Sequence, residues 1–237
     1  SVYHSDVFGT RAFKYERLFN SSIDLTQFQS INYSKPYHFF VSKDFSLQSE
    51  YDNFISIADL FIEIGSGVKT ERDRVCIHFS KKELIETINN FTDKSETDLR
   101  SLYKLGEDSR DWKLKSAIHD VRINLKKNLH IQYDYRPFDT RWTFYTGQSR
   151  GFIGTPGPKR AFQLINRDNI SIVVCRQQST FNFQHTLISK NPSDICFLSS
   201  QTKETSYIIP LYIYKSEDDI FHDLERAPNL NPQYIQR

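Results

Sequence analysis

From His130 to Tyr214 the chain is written in short runs of aromatic and β-branched residues separated by turn residues: HIQYDY, RWTFYT, ISIVVCRQ, FNFQHTLIS, DICFLSS and SYIIPLYIY. Runs of this length and composition read as strands. They follow one another too closely for the crossover helices that parallel neighbours require, so a mostly antiparallel sheet is predicted for the C-terminal half. One segment, GFIGTPGPKRAFQLIN, interrupts them; its Pro158 suits the first turn of a helix carrying Ala161, Phe162, Leu164 and Ile165. Upstream the period changes. Ser80 and Glu83 have capping-box spacing ahead of Leu84, Ile85, Ile88 and Phe91, which recur at helical intervals. Ser95, with Asp98 three residues on, is the expected cap of a short helix from Glu96 to about Leu105. A third helix is expected from about Asp111 to Lys127, where Leu114, Ile118, Val121 and Leu125 step along one face. The fold class is therefore α+β, with a helical segment around residues 80–127 and the antiparallel sheet behind it.

Residues 1–57 are different in texture. A polar, aromatic-dotted connection from Tyr15 to Tyr33 leads to the run Tyr37-His38-Phe39-Phe40-Val41, and one or two strands are expected in an otherwise irregular stretch. The chain thus divides into an N-terminal extension, 1–57, and a domain over 58–237. With 237 residues, 38% of them hydrophobic, a core can form without covalent staples. No run of about 18 uncharged apolar residues is present, and the N-terminus lacks a signal-peptide pattern, so a cytoplasmic location is the default and no membrane span is expected. Cys76, Cys175 and Cys196 are widely separated in apolar runs, which favours buried free thiols over a disulfide or zinc site. The start at Ser1 and the absence of methionine suit a piece of a larger protein, whose active site would lie elsewhere.

The net charge of +2 hides an uneven distribution. From Arg136 to Lys190 eight basic residues face only Asp139 and Asp168, and they alternate with aromatics and amides such as Tyr135, Phe138, Trp142, Tyr145, Gln148, Gln177 and Gln178. Arginine pairs with the edge of guanine, glutamine with that of adenine, and lysine holds phosphate, so the mixture suits a reader of duplex DNA. The plainer reading makes the aromatics core and the basic residues a solvated face. In YRPFDTRW, Tyr135 to Trp142, Pro137 favours an extended Arg136, and Asp139 can pair with Arg136 or Arg141 across a tight turn.

Signals for catalysis are weak. LFIEIGSGVKTERDRV, Leu60 to Val75, imitates a cofactor-binding glycine loop, yet only one of the seven residues after Gly67 is apolar, where an amphipathic helix is needed. Asp59, Glu63 and Lys69 have the wrong spacing for a metal-dependent nuclease, the seven histidines are scattered, and NPSD, Asn191 to Asp194, lacks the second proline and the aromatic platform of a base-flipping adenine methyltransferase motif. SDICFLSSQTKE, Ser193 to Glu204, is expected to be a strand with polar ends.

Several segments together resemble one family, the single-chain type ISP restriction-modification enzymes and related adenine-specific DNA methyltransferases. The residues that carry the resemblance are FGTRAFKYERL (8–18), YHFFVSKDFSLQSEY (37–51), GVKTERDRV (67–75), YRPFDTRWTFYT (135–146), VVCRQ (173–177), SYIIPLYIY (206–214) and APNLNP (227–232), in the family's order. The resemblance implies the tail of a methyltransferase part followed by a DNA target-recognition domain, truncated at Arg237. It implies too that nuclease and methyltransferase parts belong to the same parent chain, with S-adenosylmethionine bound there and no cofactor here. On this reading the chain is not catalytic by itself and its partner is double-stranded DNA. Arg141, Arg150, Arg176, Gln177 and Gln178 are the candidates for base or phosphate contact, and Lys69, Thr70, Arg72, Lys159 and Arg160 for phosphate contact. Arg136 and Asp139 are expected to form an ion-paired support. The alternatives are a nuclease or methyltransferase fragment with its own cofactor site, and a protein-packing module of a larger assembly.

Overall fold

The structure is a computed structural model that describes residues 2–33, 35, 38–177, 185–198, 204–214 and 226–235. The chain forms two compact units, Ser1–Ile55 and Ser56–Arg237. In the first, β1 (Val2–His4) pairs antiparallel with β2 (Gln29–Ile31), and between them lies α1 (Arg11–Asn20), whose N-cap Thr10 accepts a hydrogen bond from the Phe13 N–H. A single turn, α2 (Gln48–Tyr51), follows. Among the described residues of this unit only Ile31 is a buried hydrophobic. Two expectations are corrected here. ERLF and its neighbours form a helix that the aromatic-dotted reading did not foresee. The run at 38–41 is not a strand, and Tyr37 lies outside the described residues. Phe40 and Val41 stay exposed, and strand propensity takes effect only against a face to pack on.

The second unit begins with α3 (Ile57–Leu60), β3 (Gly65–Ser66) and α4 (Asp73–Cys76), followed by α5 (Lys81–Asp93), α6 (Glu96–Leu102) and α7 (Leu114–Asn124). Both halves of the capping box form at α5: Ser80 Oγ accepts from the Glu83 N–H while the Glu83 carboxylate accepts from the Ser80 N–H. Ser95 caps α6 through the Asp98 N–H. The helical segment therefore lies where caps and periodicity put it, with shorter ends. α7 starts late because residues 109–112 form a turn, with the Trp112 N–H on Ser109 Oγ and the indole buried, its Nε1 donating to the Phe152 carbonyl at 3.0 Å.

Next come the hairpin β4 (His130–Arg136) and β5 (Asp139–Phe144), a short helix α8 (Pro158–Phe162), then β6 (Ser171–Cys175), β7 (Thr186–Ser189), β8 (Ser206–Pro210), β9 (Tyr212–Tyr214) and β10 (Arg226–Pro228). The largest sheet runs β3-β8-β6-β7 with every pair antiparallel, as expected, while β4 with β5 and β9 with β10 form separate pairs. Two strand readings need correction. SYIIPLYIY is two strands rather than one: β8 ends at Pro210, the Leu211 N–H still donates to the Ile170 carbonyl beside β6, and β9 then pairs with β10 instead. DICFLSS contributes no named strand among its described residues: Asp194 makes a single parallel bridge with Val68, and the chain then turns.

The core lies between α5, α7 and the hairpin, where Leu84, Ile88, Phe91, Trp112, Leu114, Val121, Tyr133, Phe144 and Phe152 are buried together. Phe152 meets the edges of Phe91 and Phe144 at centroid distances of 5.5 and 5.9 Å. Of the three thiols Cys76 is buried and Cys175 and Cys196 are half-buried. Among the described residues no helix is long and apolar enough to cross a membrane. Two substitutions test this account by urea denaturation: Ser80→Ala should cost about 1 kcal/mol, and Phe91→Ala about 3–5 kcal/mol.

Candidate nucleic-acid interface

A buried carboxylate, Asp194, is one of the ties between the hairpin of Tyr135 to Trp142 and the rest of the unit. Asp194 is 6% exposed; its Oδ2 accepts from the Tyr133 hydroxyl at 2.7 Å, and its Oδ1 accepts from Arg136 at 2.8 Å and from the Cys196 N–H at 2.7 Å. Burial raises the Asp194 carboxyl above its ordinary range despite these donors, and burial followed by the adjacent carboxylate pushes the Tyr133 hydroxyl well up. Arg136 lies over the Tyr135 ring at 3.9 Å. The Tyr135 hydroxyl donates to Asp73 at 2.7 Å, and burial together with that bond pushes it up to about 12.

The expected Arg136–Asp139 pair does not form. Asp139 is held instead by Arg141, through Nε at 2.9 Å and a second guanidinium nitrogen at 2.7 Å, and this contact lowers the Asp139 carboxyl. The reason is strand geometry: residues 139 and 141 project from the same face of β5, whereas a register shift between Asp134 and Arg136 accompanies the turn of Arg136 toward Asp194. The Arg141 guanidinium is also sandwiched between the rings of Phe79, at 4.1 Å, and Tyr135, at 4.4 Å. Arg141 is thereby engaged within the loop, on the Asp139 carboxylate and against two rings.

The other candidates divide in the same way. Thr70 is 2% exposed and gives its hydroxyl to Asp73. Arg72 donates to the carbonyls of Glu71 and Glu107 and lies over Trp112. Arg160 is half-buried, with its side chain packed on Gly65. Lys69 is about half exposed and pairs with Glu71 at 2.5 Å. Lys69, Thr70 and Arg136 line one cleft of about 500 Å³ that Asp73 and Asp194 also line. Lys159 is exposed on α8. Arg150 is exposed in a loop secured by Asp120, which accepts from Thr146 Oγ1 at 2.7 Å and the Phe152 N–H at 2.8 Å; its nearest acid is Asp111 at 3.8 Å. Arg176 and Gln177 are exposed just past the end of β6, with the arginine over Tyr207 at 5.6 Å. Gln178 lies outside the described residues.

Sequence reasoning missed Tyr133, Asp73, Phe79 and Asp194 as parts of this arrangement. The signal available for Asp194 was an acid ahead of the apolar residues Ile195 and Phe197, a setting that requires a cation or donors. The Gly65-Ser66-Gly67 stretch is taken up by protein packing. Gly65 and Ser66 pair with β8, a Cβ on Gly65 would collide with Arg160, and one on Gly67 would lie 2.7 Å from the Asp194 carbonyl oxygen. These glycines admit the close approach of neighbouring protein.

The family model of the type ISP C-terminal specificity domain matches residues 59–237. The chain belongs to that family. No curated protein sequence matches it. The chain is similar in fold to solved structures that include the following three. One is a DrdV–DNA complex determined by cryoEM, 18% identical with a TM-score of 0.57 over 92% of this chain and 22% of that one. Another is a nuclease-deletion mutant of the type ISP restriction-modification enzyme LlaGI in complex with a DNA substrate mimic, 20% identical with a TM-score of 0.59 over 97% and 19%. The third is the ATP-dependent type ISP restriction-modification enzyme LlaBIII bound to DNA, 20% identical with a TM-score of 0.55 over 87% and 14%. The chain thus spans about a fifth of the first two.

Asp139 of the hairpin and Asp194, which ties the hairpin down, should titrate in opposite directions. Relative to an ordinary carboxyl near about 3.9, carboxyl NMR should place Asp194 higher and Asp139 lower, with Arg141→Ala returning Asp139 toward the ordinary value. The sign for stability follows: Asp139, lowered in the fold, contributes stability above the ordinary range that is lost as pH falls through its folded value. Asp194, raised in the fold, contributes stability below the ordinary range that is lost as pH rises through its folded value.

Proposed function

We propose that this specificity domain binds a short duplex DNA sequence on behalf of a cytoplasmic restriction-modification enzyme. Methylation of the exocyclic amine of adenine, with S-adenosylmethionine as donor, and nuclease chemistry belong to other parts of the parent chain, and this chain alone is not catalytic. The observation that carries the reading is the sorting of the basic residues within a specificity domain. Arg136, Arg141 and Arg160 are built into the fold, while Arg150, Lys159, Arg176 and Lys190 face solvent on supported backbone. Arg176 and Gln177 supply the planar donor and acceptor groups that match base edges, and Lys159 and Lys69 supply point charges for phosphate.

The test is selection of duplexes from a random-sequence library by the 237-residue chain, followed by titration against salt. A recovered motif whose affinity falls steeply with salt supports the reading, since each neutralised phosphate contributes a slope of about −0.9 in log–log form. Salt-independent, sequence-blind binding would return the domain to a packing role, and calorimetric binding of S-adenosylmethionine would make it a methyltransferase fragment. Within the recovered complex, Arg176→Ala should cost about 1–3 kcal/mol on the selected duplex and much less on a scrambled one. Lys159→Ala should weaken both alike and reduce the salt slope by about 1.

A further inference from the structure

The residue least explained by folding is Phe138. It is fully exposed (101%) at the tip of the β4–β5 hairpin, and its backbone is left-handed, with φ of 63°. Arg136 and Asp139 are partners across the turn, so Pro137 and Phe138 are its two central residues. Proline followed by a residue of positive φ is the pattern of a type II turn, whose second central position favours glycine or asparagine because a β-carbon there is strained. A phenylalanine at that place is disfavoured twice, by backbone conformation and by the hydration of its ring. Costs of this kind persist at functional positions.

The tip projects from a rigid base. On one side Arg136 is held by Asp194 at 2.8 Å; on the other Arg141 grips Asp139. Beneath it Asp134 accepts from Thr140 Oγ1 at 2.8 Å, Ser189 Oγ at 2.5 Å and Asn191 Nδ2 at 3.0 Å, which fastens the hairpin to the end of β7. Phe138 therefore stands as a single ring on a fixed support, beside a shallow cleft that it lines with the exposed Ile188 and Lys190. A protein partner closing over this spot would have to bury the Lys190 ammonium, whereas a nucleic acid offers that ammonium a phosphate and offers the ring a slot of matching shape, the gap between two base pairs.

We propose that Phe138 is an apolar wedge that enters the base stack of the bound duplex, partly unstacking one step and kinking it, with Lys190 on the flanking backbone. This rests on the DNA-reading role proposed above and adds a residue outside the basic set. The wedge supplies affinity through stacking and makes the choice of step depend on how easily that step opens.

The test uses the full chain and the duplex recovered by selection, with 2-aminopurine placed at each position in turn. Wild-type protein should brighten the probe at one step. Phe138→Gly should melt at the same temperature or higher, because glycine suits the turn, yet bind roughly 5- to 100-fold more weakly and leave every probe dark; Phe138→Asn should do the same, and Phe138→Tyr should restore both signals. Unchanged affinity of Phe138→Gly on the selected duplex, or weaker binding where the wild type brightens no probe, would overturn the wedge while leaving DNA reading intact. Failure of the wild-type chain to select any duplex would remove the DNA reading and the wedge with it.

Discussion

The Asp194 carboxylate is the point on which the second unit is assembled. Its backbone neighbours make parallel bridges in two directions, Asp194 to Val68 and Ser193 to Asp134, so that residues 192–195 stitch the hairpin to the segment entering the large sheet. Its side chain then joins Tyr133 and Arg136 from the hairpin to Cys196 on its own strand of chain. A buried ion pair of this kind adds little net stability over an apolar replacement, but loss of one partner costs about 3–5 kcal/mol because a charge is left without a partner in the interior. Its value is geometric. With Arg136 fixed on Asp194, Asp139 is left to Arg141, and the layers Phe79, Arg141, Tyr135 and Arg136 stack in alternation of ring and guanidinium.

That arrangement changes how the charge of the domain is understood. A segment with eight basic and two acidic residues looks like a broad positive surface, yet its arginines do several jobs. Arg136 and Arg141 hold the hairpin, Arg160 packs on Gly65, and Arg167 lies over Phe162 and Tyr214 at 4.7 and 4.9 Å. Arginine serves these places because a planar, weakly hydrated cation stacks on rings and forks onto carboxylates, which lysine does less well. The residues left for an outside partner are fewer and more spread out, so they favour positioning along a backbone over a concentrated anion site.

Much of the architecture was legible in the sequence where the physics is local. The Ser80–Glu83 and Ser95–Asp98 spacings state their helices outright, and the turn-bounded aromatic runs state the strands. What failed depended on partners far along the chain. Whether Asp139 takes Arg136 or Arg141 is decided by Asp194, 58 residues beyond Arg136, and no local spacing carries that information. DICFLSS has the composition of a strand, but its buried acid and the bridges on both sides turn it into a seam. Thr70 is a different case: its hydroxyl bonds Asp73, only three residues on, inside the folded turn. The glycines of GSG served close packing, a use that resembles a ligand loop until the neighbours are known.

On the proposed function, this domain chooses the DNA sequence on which its parent enzyme acts. The most direct measurement is long-read mapping of adenine methylation in cells carrying the parent gene, with this region intact or exchanged for that of a relative. The account predicts a methylated motif that appears with the gene and changes with the exchange. A motif that persists unchanged through the exchange would contradict it, because recognition would then reside in another part of the chain.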